Sequence, residues 1–325
     1  MIRFFREICR PNATPRGSVV CIGAFDGVHR GHRALLDGVR ARASERGLRS
    51  VAVSFEPIPR EFFARSAPLL RLTSARDKIE RIADAGIDEL LSLRFNAELA
   101  AMSPEAFVET ILVEQLVARE IWVGADFRFG RARVGDVDML HAMGKQLGFT
   151  VKVFGDFEVD GQRVRSSEIR RLLALGKFDA AADVLGRRFM IGGHVVHGQK
   201  LGRQLGYPTA NVRLGKRLSS VTGIFAVWVH GVGEQPMPGV ASLGIRPTVD
   251  GTEPLLEAHL FDFDGDLYGR HIDVDFVAKL RDEIKFDGLD ALVVQMDADA
   301  LQARRILGIG GIAQSRISST ERIRA

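Results

Sequence analysis

Ser18-Val19-Val20-Cys21-Ile22-Gly23-Ala24-Phe25-Asp26-Gly27-Val28-His29-Arg30-Gly31-His32 is the stretch whose reading decides the fold. Val19 to Ile22 is a short apolar run that stops at Gly23, and the turn residues Asp26 and Gly27 follow. From Ala34 onward, Leu35, Leu36, Val39 and Ala43 recur with helical spacing. The pattern predicts a buried strand, a tight loop and a helix. His29 and His32 stand three apart where that helix begins, so they share a face. Helix N-termini attract phosphates through free N–H groups and the dipole, and Gly23, Gly27 and Gly31 let a ligand approach the backbone. The expectation is a phosphate site with two imidazole donors.

Working outward, residues 50–55 form a second apolar run that Pro57 and Pro59 end. Ser74 is the expected N-cap of the next helix, with Asp77 at its third position. Ser103-Pro104 opens another, cap then proline. Further strands are expected at 89–93, 120–125 and 150–154, and a helix at 137–147. Residues 1–17 read as irregular, broken by Pro11, Pro15 and Gly17. Strands alternating with helices predict a parallel sheet covered on both faces. Ser166 and Ser167 open a helix whose inward positions are Ile169, Leu172 and Leu173, and Arg170 lies one turn in. Hydroxyls, free N–H groups and a guanidinium at one helix end suit an anion.

A short amphipathic helix at 178–185 ends at Gly186, where the domain boundary is expected: one domain at 1–185, a second at 186–308, and a disordered basic tail at 309–325. Past the boundary, glycine, valine and aromatics dominate. Strands at 189–196, 223–230, 239–243, 256–263 and 271–276 predict an antiparallel sheet or barrel, followed by a helix at 289–307. Gly198, Gly202 and Gly206 frame Lys200 and Arg203, which suits a loop wrapping phosphates. The loop lacks the Lys-Ser/Thr ending of a P-loop. Thr209 and Asn211, two apart on an extended chain, point the same way. Neutral oxygen donors of this kind suit Mg²⁺ shared with nucleotide phosphates. Alternation also sets Glu257 and His259 on one face of a strand, with Leu256, Ala258 and Leu260 on the other.

At 325 residues the chain is long for one core. Hydrophobic content of 46% and charged content of 26% fit a globular protein. The net charge of +4 is carried mostly by dispersed arginines, so anionic nucleotides rather than nucleic acid are the expected partners. Cys9 and Cys21 are the two cysteines, and Cys21 falls inside a predicted strand. A disulfide is not expected, and a reducing cytoplasm is. No apolar run approaches the ~18 residues of a membrane span, so no membrane partner is expected, and the N-terminus has no signal-peptide pattern.

Gly23-x-Phe25-Asp26-Gly27-x-His29-x-Gly31-His32 resembles the signature of the FMN adenylyltransferase module, a nucleotidyltransferase of the His-x-Gly-His type. The resemblance implies that a substrate phosphate attacks the α-phosphorus of ATP and pyrophosphate leaves. Phe55-x-Pro57-x-Pro59 is similar to the module's loop after its second strand; taken alone, the prolines read equally well as a strand terminator. Asp126-Phe127-Arg128-Phe129-Gly130 is similar to a module run that, at the end of a sheet strand, implies a flavin site. Aromatic faces suit an isoalloxazine ring, and Asp126 could accept a hydrogen bond from it. Residues 166–170 resemble the second phosphate motif, with Arg165 standing where a first Ser is usual. Ser166, Ser167 and Arg170 carry over.

Gly202-Arg203-x-Leu205-Gly206-Tyr207-Pro208-Thr209-Ala210-Asn211 resembles the riboflavin kinase signature. Runs around Gly244–Thr248, Glu257–Leu260, Gly265–Gly269 and Leu280–Phe286 continue the likeness; Asp266 and Tyr268 read as a turn. Ser242 replaces a common Asn, and Phe225 a common Tyr. The resemblance implies Glu257 as general base, Thr209 and Asn211 at Mg²⁺, and Arg281 at the flavin. Both modules in this order are similar to the bifunctional bacterial riboflavin kinase/FMN adenylyltransferases, which implies an α/β nucleotidyltransferase domain followed by a β-barrel kinase domain with a C-terminal helix. ATP, riboflavin and FMN are the implied substrates, with Mg²⁺ accompanying ATP; oligomeric state is not implied. A single-activity enzyme and a flavin-binding regulator stay open as alternatives.

The tail carries a better Ile317-Ser318-Ser319-Thr320 run than residues 166–167 do, but it follows the second module and no sheet presents it. A chain ending after Leu307 is expected to keep both activities, measured as FMN and FAD formation. Selective loss of FAD synthesis would assign Ser318, Ser319 and Thr320 to a phosphate site.

Overall fold

The computed structural model describes residues 2–6, 16–64, 71–198, 202, 205–214, 221–248 and 251–309. They fall in two compact units, divided between Phe189 and Met190.

The first unit is built on a parallel sheet of β1 (Arg3–Phe5), β2 (Ser18–Ile22), β3 (Arg49–Glu56), β4 (Glu89–Arg94), β5 (Ala118–Gly124) and β6 (Thr150–Phe154). Their spatial order is β1-β4-β3-β2-β5-β6, and every neighbouring pair is parallel. All five residues of β2 are buried, as a strand covered on both faces requires. Its alternate side chains feed two cores. Val20 and Ile22 join Val51, Val53, Ile121 and Phe107 on one face. Val19 and Cys21 join Leu35, Leu36 and Val39 of the helix Arg30–Glu45 on the other. Burial pushes the Cys21 thiol up to about 12, which makes it an inert core residue; Cys9 lies outside the described residues.

From β2 the chain builds one way through β3 and β4, then crosses to β5 and β6 on the other side. Strand order therefore reverses between β2 and β5. Open α/β sheets bind ligands at such a point, beyond the carboxyl ends of the strands. The loops that leave β2 and β5 are the ones that carry Gly23–His29 and Asp126–Gly130.

Local signals placed most helices. Ser74 and Asp77 form a reciprocal capping box on Ala75–Asp84. Ser103 caps the helix opened by Pro104, whose continuation Phe107–Gln115 has π-helical bonding. Gly186 ends Phe178–Leu185 in the left-handed conformation. The expectation of irregular structure over 1–17 is corrected at Arg3–Phe5, an edge strand paired with Glu89–Leu91. Three residues are too few to show a period. What fixes them is Glu89, buried and paired with both Arg3 and Arg49, the latter at 2.7 Å.

After a hairpin of β7 (Glu158–Val159) and β8 (Gln162–Arg163), the second unit is a closed antiparallel barrel. Its strands are β9 (Met190–Val196), β10 (Ala210–Arg213), β11 (Gly223–His230), β12 (Met237–Thr248), β13 (Gly251–Leu260) and β14 (His271–Arg281), in the order β10-β13-β12-β11-β14-β9. The interior is apolar: Phe225 and Phe276 meet edge to face at 5.1 Å among Leu243, Leu256 and Ala258. The helix Leu289–Ile306 packs Ala303 on Ala226 and Phe261. Strand β10 is the element the sequence did not announce; its four residues follow directly on the glycine-rich loop. Lys200, Arg203 and residues 310–325 lie outside the described residues. Among the described residues no helix is long and apolar enough to cross a membrane.

Gly38 offers a test of how the first helix seats on the sheet. A Cβ there would fall 2.7 Å from the Trp122 ring. Gly38→Ala gains ~1 kcal/mol of helix propensity, but overpacking costs ~1–3 kcal/mol. A net loss of stability is expected in denaturant melts; a net gain would show that Trp122 yields without cost.

Candidate functional site

The loop after β2 is strained and clamped. Phe25 (φ 49°) and Val28 (φ 39°) are non-glycine residues in the left-handed region, and Gly27 between them has φ 91°. Such conformations cost ~1–3 kcal/mol each and persist only where surroundings over-determine them. Here they do. Asp26 Oδ1 accepts from the Leu72 and Thr73 amides at 3.0 and 3.1 Å, while Oδ2 pairs with Arg170. Thr73 Oγ1 accepts from the Gly27 amide at 3.0 Å, and Ser166 Oγ donates to the Asp26 carbonyl at 2.8 Å. Arg187 donates to the Gly27 carbonyl at 2.6 Å. Asp26, expected from the sequence among the phosphate-binding residues, spends both carboxylate oxygens on the protein itself, so its place in the site is to hold the loop.

This loop delivers the two histidines. His29 is the N-cap of Arg30–Glu45, and its Nδ1 accepts from the His32 amide at 3.2 Å. Its neutral ring therefore carries hydrogen on Nε2. The His29 and His32 rings stack at 3.6 Å, with Phe25 edge-on to His32 at 5.2 Å. Burial, then the charges of Arg187 and Arg170, lowers His29 to about 4. Burial, then His29, holds His32 well below the ordinary value. Both shifts favour the neutral ring at pH 7, which can donate an N–H but carries no charge. His32 Nδ1 is buried with no hydrogen-bond partner among the described residues, a polar atom left for something the protein does not supply. A Cβ on Gly31 would meet nothing closer than 3.4 Å, so internal packing does not require this glycine. Gly23 continues the sheet, its amide donating to Val53 at 3.0 Å. Of the second motif, Ser166 and Arg170 converge on Asp26, while Ser167 is exposed and Arg165 is an N-cap without a side-chain hydrogen bond.

The loop after β5 divides. Phe127 and Phe129 stack at 5.4 Å, but Phe129 is a core residue, packed on Phe107 at 6.0 Å, so its faces are taken. Phe127 is half-buried, and Asp126 is exposed, 3.9 Å from the Arg163 guanidinium. An aromatic patch that the sequence reading passed over lies on neighbouring strand ends. Phe62 and Phe63, 39% and 59% exposed, follow β3 and meet Phe95, which follows β4, at 5.3 and 5.7 Å. The signal was available: two adjacent phenylalanines just past Pro57 and Pro59, at the ligand end of a sheet strand. The half-hidden network beneath, Lys78 donating to the Phe55 carbonyl at 2.9 Å with Glu56 at 3.3 Å, carries no sequence signature.

In the second unit a cavity of about 410 Å³ collects Thr209, Asn211, Glu257, Arg281 and Gly202. It lies on the outer side of the barrel wall, roofed by Leu292 and Met296 of the C-terminal helix. The strand register explains the gathering: Glu257 on β13 is directly paired with Asn211 on β10 and with Ser242 on β12. The alternation of β13 places Leu256, Ala258 and Leu260 in the core and leaves Glu257 and His259 partly accessible. A Cβ on Gly202 would fall 2.3 Å from the Tyr207 carbonyl, so packing there requires glycine, and one on Gly198 would fall 2.4 Å from Asn211 Oδ1, a side chain that would have to move. Gly206 has φ 82°. Arg281 reaches the cavity while bound bidentately to buried Asp299 at 2.7–3.0 Å. Among the described residues no group of three or more His, Cys, Asp or Glu is set to hold a metal. Thr209 and Asn211 are neutral oxygen donors at this cavity, which Glu257, Glu283 and Asp299 also line, and such a set fits an ion whose remaining ligands are phosphates and water.

A family model described as FAD synthetase matches residues 12–168, and one described as riboflavin kinase matches residues 185–307. The bifunctional riboflavin kinase/FMN adenylyltransferase of Escherichia coli (strain K12) is 44% identical over 297 residues, covering 91% of this chain and 95% of that protein. The protein of the same description from Pseudomonas fluorescens is 48% identical over 292 residues, covering 90% and 93%. A crystal structure described as a macrolide-efflux protein from Streptococcus pneumoniae superimposes with a TM-score of 0.76 at 29% identity, covering 92% of this chain and 97% of that one. Its description speaks of efflux; what it shares with this chain is the fold. A chain that matches both modules in order, and relatives along nine-tenths of its length, belongs to the family of bifunctional riboflavin kinase/FMN adenylyltransferases.

Proposed function

We propose that each unit carries one of the family's two activities, with domains at 1–185 and 186–308, and that named side chains divide the chemistry as follows. The second unit phosphorylates riboflavin. The observation that supports this is the convergence of Glu257, Asn211 and Thr209 on one cavity. An alcohol is a poor nucleophile until its proton is leaving. Glu257 accepts the proton of the riboflavin 5′-hydroxyl while that oxygen bonds to the γ-phosphorus of ATP; the bond to the β,γ-bridging oxygen breaks, and ADP leaves. Gly198, Lys200, Gly202 and Gly206 position the donor phosphates, and Arg281 borders the flavin. Thr209 and Asn211 would hold Mg²⁺, which neutralises phosphate charge when bound.

The first unit adenylylates FMN. A phosphate oxygen of FMN bonds to the α-phosphorus of ATP, and the bond to the β-phosphate breaks to release pyrophosphate. No covalent enzyme intermediate is needed, so the work is positional and electrostatic. Neutral His29 and His32 donate to phosphate oxygens at the helix N-terminus. Ser166, Ser167 and Arg170 take the departing phosphates, with Arg170 held in place by Asp26. Phe127 with Phe62 and Phe63 offers aromatic faces to the isoalloxazine ring, and Asp126 a hydrogen-bond acceptor. Localisation in the cytoplasm fits the reduced, buried Cys21 and the nucleotide substrates.

Two substitutions separate the sites. Glu257→Gln keeps shape and reach but accepts no proton. FMN formation is expected to fall ~100- to 10,000-fold, with riboflavin and ATP still bound and FAD formation from supplied FMN unchanged. Near-normal kinase turnover would leave that transfer resting on positioning and Mg²⁺. In the other unit, His32→Ala is expected to lower FAD formation from supplied FMN ~100- to 1,000-fold while FMN production continues. An equal loss of both activities would make His32 a structural residue.

A further inference from the structure

A second cavity, of about 360 Å³, opens in the first unit beside the helix Arg30–Glu45. Arg30, Arg33, Arg81 and Arg187 line it, with Asp37 and Asp84. At 3.6 residues per turn, Arg30, Arg33, Ala34 and Asp37 share one flank of that helix, and His32 lies on the far side of it. The cavity is therefore distinct from the helix face that carries His32, although Val28 borders it and the charge of Arg187 is felt at His29.

Its charge is not balanced from within. Arg33 is bound by Asp37 at 3.2 Å. Among the described residues no carboxylate forms an ion pair with Arg30, Arg81 or Arg187. Arg30 reaches only the Asp183 carbonyl, at 3.4 Å, and Arg187 the carbonyls of Gly27 and Val28, at 2.6 and 3.4 Å. Arg81 Nε is buried with no hydrogen-bond partner among the described residues. Burial, then the like charge of Arg81, lowers Arg187 to about 9, with Asp77 offsetting part of this. Four guanidiniums against the carboxylates of Asp37 and Asp84 leave the lining net cationic, a cost that an anion would offset. The planar guanidinium fork matches phosphate geometry. The site is also built rather than incidental: Gly186, at φ 82°, lets the Arg30 stem lie against the backbone, where a Cβ would fall 2.7 Å from Arg30 Cγ.

We infer that this cavity binds a small phosphate-bearing anion through Arg30, Arg81 and Arg187, as a site additional to the two catalytic ones. Its occupancy is felt by the adenylyltransferase loop, because Arg187 is the residue that ties the cavity to the Gly27 and Val28 carbonyls. Such an anion has three sources on chemical grounds: free inorganic phosphate, the pyrophosphate that the first unit releases, or the phosphate of a nucleotide.

The test is calorimetric titration of the full chain with inorganic phosphate, pyrophosphate and AMP in turn, comparing wild type, Arg81→Gln and His32→Ala. At least one probe is expected to bind the wild type in a component that His32→Ala keeps and Arg81→Gln weakens roughly tenfold or more, the worth of one hydrogen bond to a charged group. The probe that does so identifies the source. Without any probe, Arg81→Gln is expected to melt no lower than wild type, since it removes a like charge beside Arg187, and to lose the melting shift that the binding probe gives wild type. The inference is overturned if no probe binds in a component independent of His32, or if Arg81→Gln titrates as wild type does. It is equally overturned if Arg81→Gln melts several degrees lower without probe, since Arg81 would then have a structural role.

Discussion

The first unit depends on Asp26. One carboxylate, 5% exposed, holds three things at once: the amides at 72–73, the hydroxyl of Thr73, and the guanidinium of Arg170. Each hydrogen bond is worth ~1 kcal/mol net, and those to a charged group ~1.5–3. Together they exceed the backbone strain at Phe25 and Val28, ~1–3 kcal/mol apiece. Without that clamp the loop would relax toward ordinary dihedrals, and the N-cap geometry that stacks His29 on His32 would go with it. Removing the carboxylate would also take away the ion pair between Asp26 and Arg170.

The second unit solves the same positioning problem by register. Glu257 needs no clamp of its own, because antiparallel pairing sets it opposite Asn211 on one side and Ser242 on the other. A one-residue slip would turn it into the apolar barrel and bring Leu256 or Ala258 to the cavity. The burial of those two leucine and alanine side chains, both fully inside, makes that slip prohibitively unfavourable. The barrel core and the placement of Glu257 at the cavity are therefore one constraint.

Much of this was legible in the sequence for definite reasons. The apolar run Val19–Ile22, the capping pair Ser74 and Asp77, and the alternation around Glu257 are local signals with a single physical meaning. What escaped was set by partners distant in sequence. Arg3–Phe5 is a strand because Glu89 holds it, 86 residues away. The four residues of β10 are a strand because β9 and β13 flank them. Phe129 looked like a ligand-facing aromatic, and tertiary packing on Phe107 made it core. Phe62 and Phe63 carry a local signal, but their partner Phe95 follows a different strand. Asp26 reads as a turn residue from sequence; its service to Arg170, 144 residues on, does not.

Two units, each matching one of the family's two modules, imply two successive reactions in one chain. The most direct measurement incubates the protein with riboflavin, ATP and Mg²⁺ and separates the flavins over time. FMN should appear first and FAD should follow as FMN is consumed. FMN accumulating without FAD, or riboflavin left unchanged, would contradict the account.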